Sequence, residues 1–364
     1  MPLRHTQMSW HDACAEALKT PRESLIVKLP DRPMDAAPWR AELGPAGRTP
    51  GRLHAGPRCL GGPVDGLVDR GASMTDPVTL DYQPLAWDAE SLWRQLEPLL
   101  PGLAVEVMAR SESTNTQLLQ RLRGAQGAAL QDMVLPGRRA SDTQPCLLVA
   151  EHQTIGRGRM GRSWQAAPGA SLTFSLALPL APADWSGLSL AVGVALAEAL
   201  DHAPVGSPRI GLKWPNDLWL DQRKLGGVLI ETVSVGSQRM AVIGIGLNVR
   251  PMEVAAVSSG YACLSELDPS ASAPAVLHQL AVPLVQALQS FERDGFGAFH
   301  ARFAARDVLR GHSVRSGLIE GVAQGVTASG ALQVATQAGL QLITSNEVSV
   351  RLAAWGPTTP SGLG

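Results

Sequence analysis

The sequence predicts an α+β fold, a central domain of interleaved strands and helices followed by a small all-β module. Three observations carry this. Helical and strand patterns alternate between residues 88 and 293. After Arg310 the pattern changes to short strands broken by Gly317, Gly321, Gly325, Gly330 and Gly339. At 364 residues the chain has room for two or three domains of ordinary size.

The elements can be taken in order. Residues 1–73 hold nine of the 27 prolines and segments such as Gly61-Gly62-Pro63, with no sustained period. Such a stretch is a poor source of packed core, so it is assigned to a disordered extension or a mis-called start. The central domain is assigned to 74–308 and the β module to 309–356. Asp88 is placed to cap a helix carrying Leu92, Leu96 and Leu99 on one face. A short strand over 104–108 leads to Ser113-Thr114-Asn115 and a helix with Leu118, Leu119 and Leu122, and 124–145 reads as a loop. Strands are predicted over 146–151 and 172–178, and an apolar helix over 188–200. Further strands are expected over 210–213, 225–232 and 240–248, with Asp221-Gln222 turning a hairpin. A long helix starts near Ser272 and Pro274 and reaches about Arg293, with Leu277, Leu280, Leu284 and Leu288 along it.

Bulk chemistry narrows the function classes. A hydrophobic share of 45%, a charged share of 17% and a net charge of -1 describe a globular protein without a bulk pull toward DNA or anionic lipid. Four cysteines without CxxC spacing indicate neither a disulfide framework nor a zinc knuckle. No run of about 18 apolar residues exists to span a bilayer, and no secretory signal is evident, so a cytoplasmic protein with no membrane partner is expected. The histidines form no HExxH or His–Cys cluster, and no metal site is predicted. Neither a P-loop nor a G-x-S-x-G elbow is present.

Four segments carry candidate chemistry. Gly156–Gly161 matches G-x-G-x-x-G after a strand, but a dinucleotide site requires a helix next. Here Arg162–Gly169 reads as a loop. The segment sets Arg157, Arg159 and Arg162 among glycines, which suits either a solvated basic loop or a backbone wrapped around an anion. Lys213-Trp214-Pro215-Asn216-Asp217 and Lys224-Leu225-Gly226-Gly227 come next. After Met74 there are 19 arginines and only two lysines, Lys213 and Lys224. A compact ammonium can serve crowded phosphoryl and carboxylate oxygens where a planar guanidinium does not fit; for Lys224 chance placement in a turn stands equally well. Glu112-Ser113-Thr114-Asn115 offers hydroxyls and an amide, which are also ordinary helix caps. Gly244-Ile245-Gly246-Leu247-Asn248 either lets a ring approach the backbone or marks a bulge.

Together, in this order and spacing, these segments resemble the biotin–protein ligase family, in its form without an N-terminal DNA-binding domain. The resemblance covers residues 104–353 and rests on GRGRMGR followed by Trp164, KWPNDLWL with RKLGG, and IGIGLNV. It implies a central domain related to class II aminoacyl-tRNA synthetases, with a mixed β-sheet and flanking helices, and a C-terminal SH3-like barrel. It implies ATP with Mg²⁺ and biotin as substrates, and a biotin carboxyl carrier protein as partner; a homodimer is compatible with it, and no nucleic acid is expected. By the same resemblance Ser113, Thr114, Asn115 and Gln153 face the biotin ring. Arg157, Gly158 and Arg159 close over biotin and the adenylate, and Trp164 packs in the closed site. Lys213 meets the biotin carboxylate and the α-phosphate, and Asn248 meets adenine. Lys213 and Arg159 are thereby the expected catalytic residues. A lipoate- or octanoate-transferring relative and a biotin-responsive repressor are the competing readings.

Overall fold

Apolar alternation along the strands dictates which face of the sheet receives helices. In β5 (Ser171–Pro179), Leu172, Phe174, Leu176 and Leu178 belong to the large core, while Ser171, Thr173 and Ser175 point the other way. In β9 (Gln238–Asn248), Ile243, Ile245 and Leu247 face that core, and Gly244, Gly246 and Asn248 face away. Each fully buried side chain of this kind contributes about 1.5–3 kcal/mol by leaving water. The computed structural model describes residues 84–131, 143–202, 207–253, 260–344 and 350–352. The assignment of residues 1–73 lies outside the described residues.

The first described helix is α1 (Ala89–Leu96), where the Asp88 carboxylate accepts from the Ser91 amide at 3.4 Å. Leu92 and Leu96 are buried as the pattern predicts. Leu99 lies beyond the helix end, in the following turn, and still packs on the core. Strand β1 (Ala104–Ser111) precedes α2 (Thr114–Gln131). The predicted loop from Gly124 is a correction: the backbone stays helical through Gln131, because the alanines, leucine and glutamines of this stretch outweigh two glycines. Strand β2 (Cys146–Gln153) follows, then a small hairpin of β3 (Gly156–Arg157) and β4 (Ser163–Trp164), and then β5. Helix α3 (Leu188–Leu200) has the predicted bounds and is buried almost all round. Strands β6 (Ile210–Lys213), β7 (Asp217–Leu220) and β8 (Arg223–Val235) lead into β9. Asp221 and Gln222 both take positive φ, 46° and 64°, which the two-residue hairpin between β7 and β8 requires.

These strands form a seven-stranded mixed sheet in the order β1-β2-β5-β9-β8-β7-β6, parallel only between β1 and β2. Helix α2 packs Leu118, Leu119 and Leu122 on one face, against Leu148, Ala177, Met240 and Val242. Helix α3 and the long α4 (Ala273–Asp294) cover the other face. The short α5 (His300–Ala304) and residues 305–309 then lead to the second module; the Leu212 amide donates to the Arg306 carbonyl at 2.7 Å and the Val308 amide to the Leu212 carbonyl at 3.1 Å, which caps the edge of β6.

The C-terminal module is a five-stranded antiparallel sheet in the order β13-β12-β11-β10-β14. Its strands are β10 (Ser313–Ser316), β11 (Ile319–Val326), β12 (Leu332–Thr336), β13 (Gly339–Ile343) and β14 (Arg351–Leu352). Gly317, Gly330 and Gly339 sit outside or at the ends of strands with positive φ, as expected of breaks. Gly321 and Gly325 do not break a strand. They lie inside β11, with a register shift between Ala323 and Gly325. The Trp214 indole N–H donates to the Gly330 carbonyl at 3.0 Å, tying this module to the central sheet. No helix among the described residues is long and apolar enough to cross a membrane.

Candidate active site

The strand register lays the chemistry-bearing residues out in rows. On the sheet face opposite α3 and α4, Ser175, Gly244 and Leu229 pair across β5, β9 and β8. The adjacent row runs Thr173, Gly246, Gly227, Asp217 and Lys213 across five strands. At roughly 4.8 Å per strand, the backbone at Lys213 stands about 14 Å from that at Gly246. All ten residues expected from the sequence line one cavity of about 1020 Å³ above these rows: Ser113, Thr114, Asn115, Gln153, Arg157, Gly158, Arg159, Trp164, Lys213 and Asn248.

One end of the cavity is a buried polar pocket at the start of α2. Ser113, Thr114 and Asn115 are all buried there. Ser113 caps the helix, its hydroxyl accepting from the Thr116 amide at 3.4 Å, so the capping role and the place in the cavity coexist. The Thr114 amide and hydroxyl donate to Gln153 Oε1 at 2.7 and 3.1 Å. The Ser175 hydroxyl lies 2.6 Å from both Thr114 Oγ1 and Asn115 Oδ1. Asn115 Nδ2 donates to the Leu229 carbonyl at 3.2 Å and to Glu231 Oε2 at 3.0 Å. Gly244 makes room for that amide, since a Cβ there would fall 2.3 Å from Asn115 Oδ1.

The arginine segment forms the lip. Gly156 and Arg157 pair with Trp164 and Ser163, and a tight turn over Arg159–Gly161 joins the two strands, with Met160 and Gly161 at positive φ. No helix follows, so a dinucleotide fold is excluded on geometry. Arg157 donates to Thr116 Oγ1 at 3.2 Å and pairs with Glu231 Oε1 at 3.4 Å. Burial holds the Arg159 guanidinium below its ordinary pKa; the charge of Asp217 opposes the shift and that of Arg162 adds to it. Even so lowered, an arginine remains cationic.

The glycines of β9 create space and no bulge, because pairing on both sides of Gly244 and Gly246 is continuous. The Trp164 ring lies directly over Gly246. The indole nitrogens of Trp164 and Trp219, two residues that line the cavity, are buried without a hydrogen-bond partner among the described residues. A buried donor left so costs about 1–3 kcal/mol. Asn248 Nδ2 donates to the carbonyls of Lys224 and Ala262 at 3.2 and 2.9 Å, so only its amide oxygen is left to face the cavity.

Both lysines reach the cavity. The Lys213 ammonium lies 4.6 Å from the centroid of the Trp219 ring. Lys224 Nζ is 2.8 Å from Asp217 Oδ1 and 5.8 Å from the centroid of the Trp164 ring. It stands beside Gly227, in the middle of the row, whereas Lys213 ends it. Sequence reasoning left Lys224 open, to which only the scarcity of lysine and the RKLGG motif pointed, quoted Asp217 and Trp219 within a motif without giving them a role, and missed Ser175, Glu231 and Tyr261. The Tyr261 hydroxyl donates to the Arg250 carbonyl at 2.7 Å, and burial, with the nearby Cys263 and Glu266, pushes its pKa up to about 12. Trp214, by contrast, is a strut between modules.

Comparison with known proteins fits this geometry. Residues 138–248 match the Biotin/lipoate A/B protein ligase family, and residues 314–351 match the Biotin protein ligase C terminal domain. The bifunctional ligase/repressor BirA of Escherichia coli strain K12 is 30% identical over 293 residues, covering 78% of this chain and 82% of that protein. The chain belongs to the biotin protein ligase family. Within this family, the biotin--[acetyl-CoA-carboxylase] ligase of Mycobacterium tuberculosis is 37% identical over 165 residues, 44% of this chain and 52% of that one. A solved biotin protein ligase from Aquifex aeolicus, in complex with biotin and ATP, is similar in fold at a TM-score of 0.54 and 26% identity. That similarity covers 68% of this chain and 99% of the Aquifex chain.

Proposed function

We propose that this chain is an ATP-dependent biotin–protein ligase that forms biotinyl-5'-AMP and passes the biotinyl group to a lysine of a biotin carboxyl carrier protein. One observation carries the proposal: a buried pocket of amide and hydroxyl groups opens, in one cavity, onto a row with Lys224 beside its middle and Lys213 at its end, below an arginine lip. A ureido ring has one carbonyl acceptor and two N–H donors, each needing a partner once buried. Ser113, Thr114, Asn115, Gln153 and Ser175 supply donors and acceptors of that kind. The valeryl chain then leads along the row toward Gly246 and Gly227.

In the first step a biotin carboxylate oxygen attacks the α-phosphorus of ATP, and the bond to pyrophosphate breaks. Two anions are brought together, so fixed positive charge is the main requirement. Lys224, nearer the ring pocket, and Lys213, further along the row, provide it with Arg157 and Arg159. Trp164 and the oxygen of Asn248 serve the adenylate end. Among the described residues no cluster of three or more His, Cys, Asp or Glu side chains could hold a metal ion. Mg²⁺ would accompany the triphosphate, with Asp217 the carboxylate at hand. In the second step the neutral amine of a carrier lysine attacks the acyl carbon, AMP leaves and the amine loses a proton. A lip that excludes water protects the anhydride between steps. We place the protein in the cytoplasm, where ATP and such carriers meet.

The test is pyrophosphate release without any carrier. Biotin and ATP together should give a burst of about one equivalent per protein, since the adenylate stays bound. A burst with octanoate or lipoate and none with biotin would refute the reading.

A further inference from the structure

A carboxylate outside the cavity lining connects its two ends. Glu231, on β8, accepts Asn115 Nδ2 on one oxygen at 3.0 Å and faces Arg157 with the other at 3.4 Å. Its side chain is 25% exposed, so it is neither a core group nor a free surface charge. Asn115 is a ring-pocket residue and Arg157 a lip residue. The sequence separates Asn115 from Glu231 by 116 positions and Arg157 from Glu231 by 74.

We infer that Glu231 is a positioning residue: through one oxygen it fixes which way the Asn115 amide points, and through the other it holds Arg157 of the lip against α2. The inference rests on the biotin reading for what Asn115 then contacts. Both partners of Asn115 Nδ2, the Leu229 carbonyl and the Glu231 carboxylate, are acceptors only. A flipped amide would set oxygen against oxygen at two places. The carboxylate thus keeps Asn115 Oδ1 turned toward Ser175 and the cavity, as an acceptor suited to a ring N–H. On the other side, the Arg157 guanidinium is shared between Glu231 and Thr116 Oγ1. The lip is therefore anchored to α2 and β8 before any anionic ligand competes for that guanidinium.

Two substitutions separate the functions. Glu231→Gln keeps an amide oxygen for Asn115 but removes the charge facing Arg157. Glu231→Ala removes both. Titration with biotin alone should give Glu231→Gln an affinity close to wild type and Glu231→Ala one about tenfold weaker, the scale of one hydrogen bond. Amide exchange over residues 157–162 of the ligand-free protein should speed up in both variants. Equal loss of affinity in the two variants, or none in Glu231→Ala, would overturn the role at Asn115. Unchanged exchange in Glu231→Gln would overturn the role at the lip, and that measurement needs no ligand. Failure of the wild-type protein to bind biotin would instead strike the functional reading, leaving the exchange result to judge the lip.

Discussion

Substitution of Gly246 by alanine probes the site where a single carbon matters most. The added Cβ would lie 2.6 Å from Cε2 of the Trp164 ring, 2.8 Å from Cζ2 and 2.9 Å from Nε1, against ordinary contacts of 3.4–4 Å. Strand β9 is paired on both sides and does not yield, so the indole must retreat by roughly 1 Å. Trp164 pairs with Gly156, and Arg157 with Ser163, so the retreat is passed to the arginine lip. A misplacement of about 1 Å near reacting groups costs on the order of 10²-fold in rate. The ring pocket rests on Gly244 and Asn115, a row away, and should keep its affinity for biotin. Folding stability should change little, since alanine is favoured over glycine in a strand by about 0.5–1 kcal/mol, which offsets part of the displacement. The assay pairs calorimetric biotin titration with pyrophosphate release at saturating biotin and ATP. A native melting temperature with wild-type pyrophosphate release would refute the placement of Trp164. Loss of biotin binding alone would refute the division of the cavity into ring pocket and phosphate row.

Other predictions follow from the same geometry. Lys213→Ala and Lys224→Ala should each slow adenylate formation by roughly 10²–10³-fold, and arginine at either position should not restore it fully; near-normal pyrophosphate release by either alanine variant removes that lysine from the mechanism. The lip over 156–162 should gain exchange protection when biotin and ATP are both added, and Arg159→Ala should let the adenylate escape and label unrelated lysines; equal protection with and without ligands would mean a fixed turn. Glu151 is buried with Oε1 accepting from the Leu85 amide and the Trp87 indole, and Oε2 has no partner among the described residues. Burial raises its pKa above the usual 4.5, the Leu85 amide opposing in part. A group whose pKa is raised on folding contributes stability below its unfolded value and loses it as pH rises through the folded value. Compared with Glu151→Gln, the wild-type protein should therefore lose stability as pH climbs from about 4 toward neutrality, read from paired melting curves; parallel curves would show that the carboxyl is not desolvated.

What could be read from sequence follows from how local each determinant is. Helix α3 was legible to its ends because its apolar run is unbroken, and the Asp221-Gln222 turn because two residues between strands demand positive φ. The extension of α2 past Gly124 was not legible, since glycine lowers helix propensity by only about 1 kcal/mol and neighbouring alanines recover it. The lip and the lysines stood out because their residue types are unusual for their local setting, whereas Ser113–Asn115 read locally as helix caps and gained a site role only from the family resemblance. Ser175 and Glu231 did not stand out. Each is an ordinary strand residue whose meaning lies in a partner 60 or 116 positions away. Strand register brings these together, and register is a tertiary property. Asn248 was picked for its amide, but the two carbonyls that hold its nitrogen come from segments no periodicity connects.

The central claim is tested most directly by transfer itself. The protein, labelled biotin, ATP and Mg²⁺ are incubated with a biotin carboxyl carrier domain, and label on the carrier is located by mass. The account predicts one biotinyl group on a single carrier lysine, dependent on ATP, accompanied by AMP and pyrophosphate in equal amounts, and abolished when that lysine is replaced by arginine. Labelling without ATP, release of ADP in place of AMP, or no labelled carrier from a protein that binds biotin would contradict it.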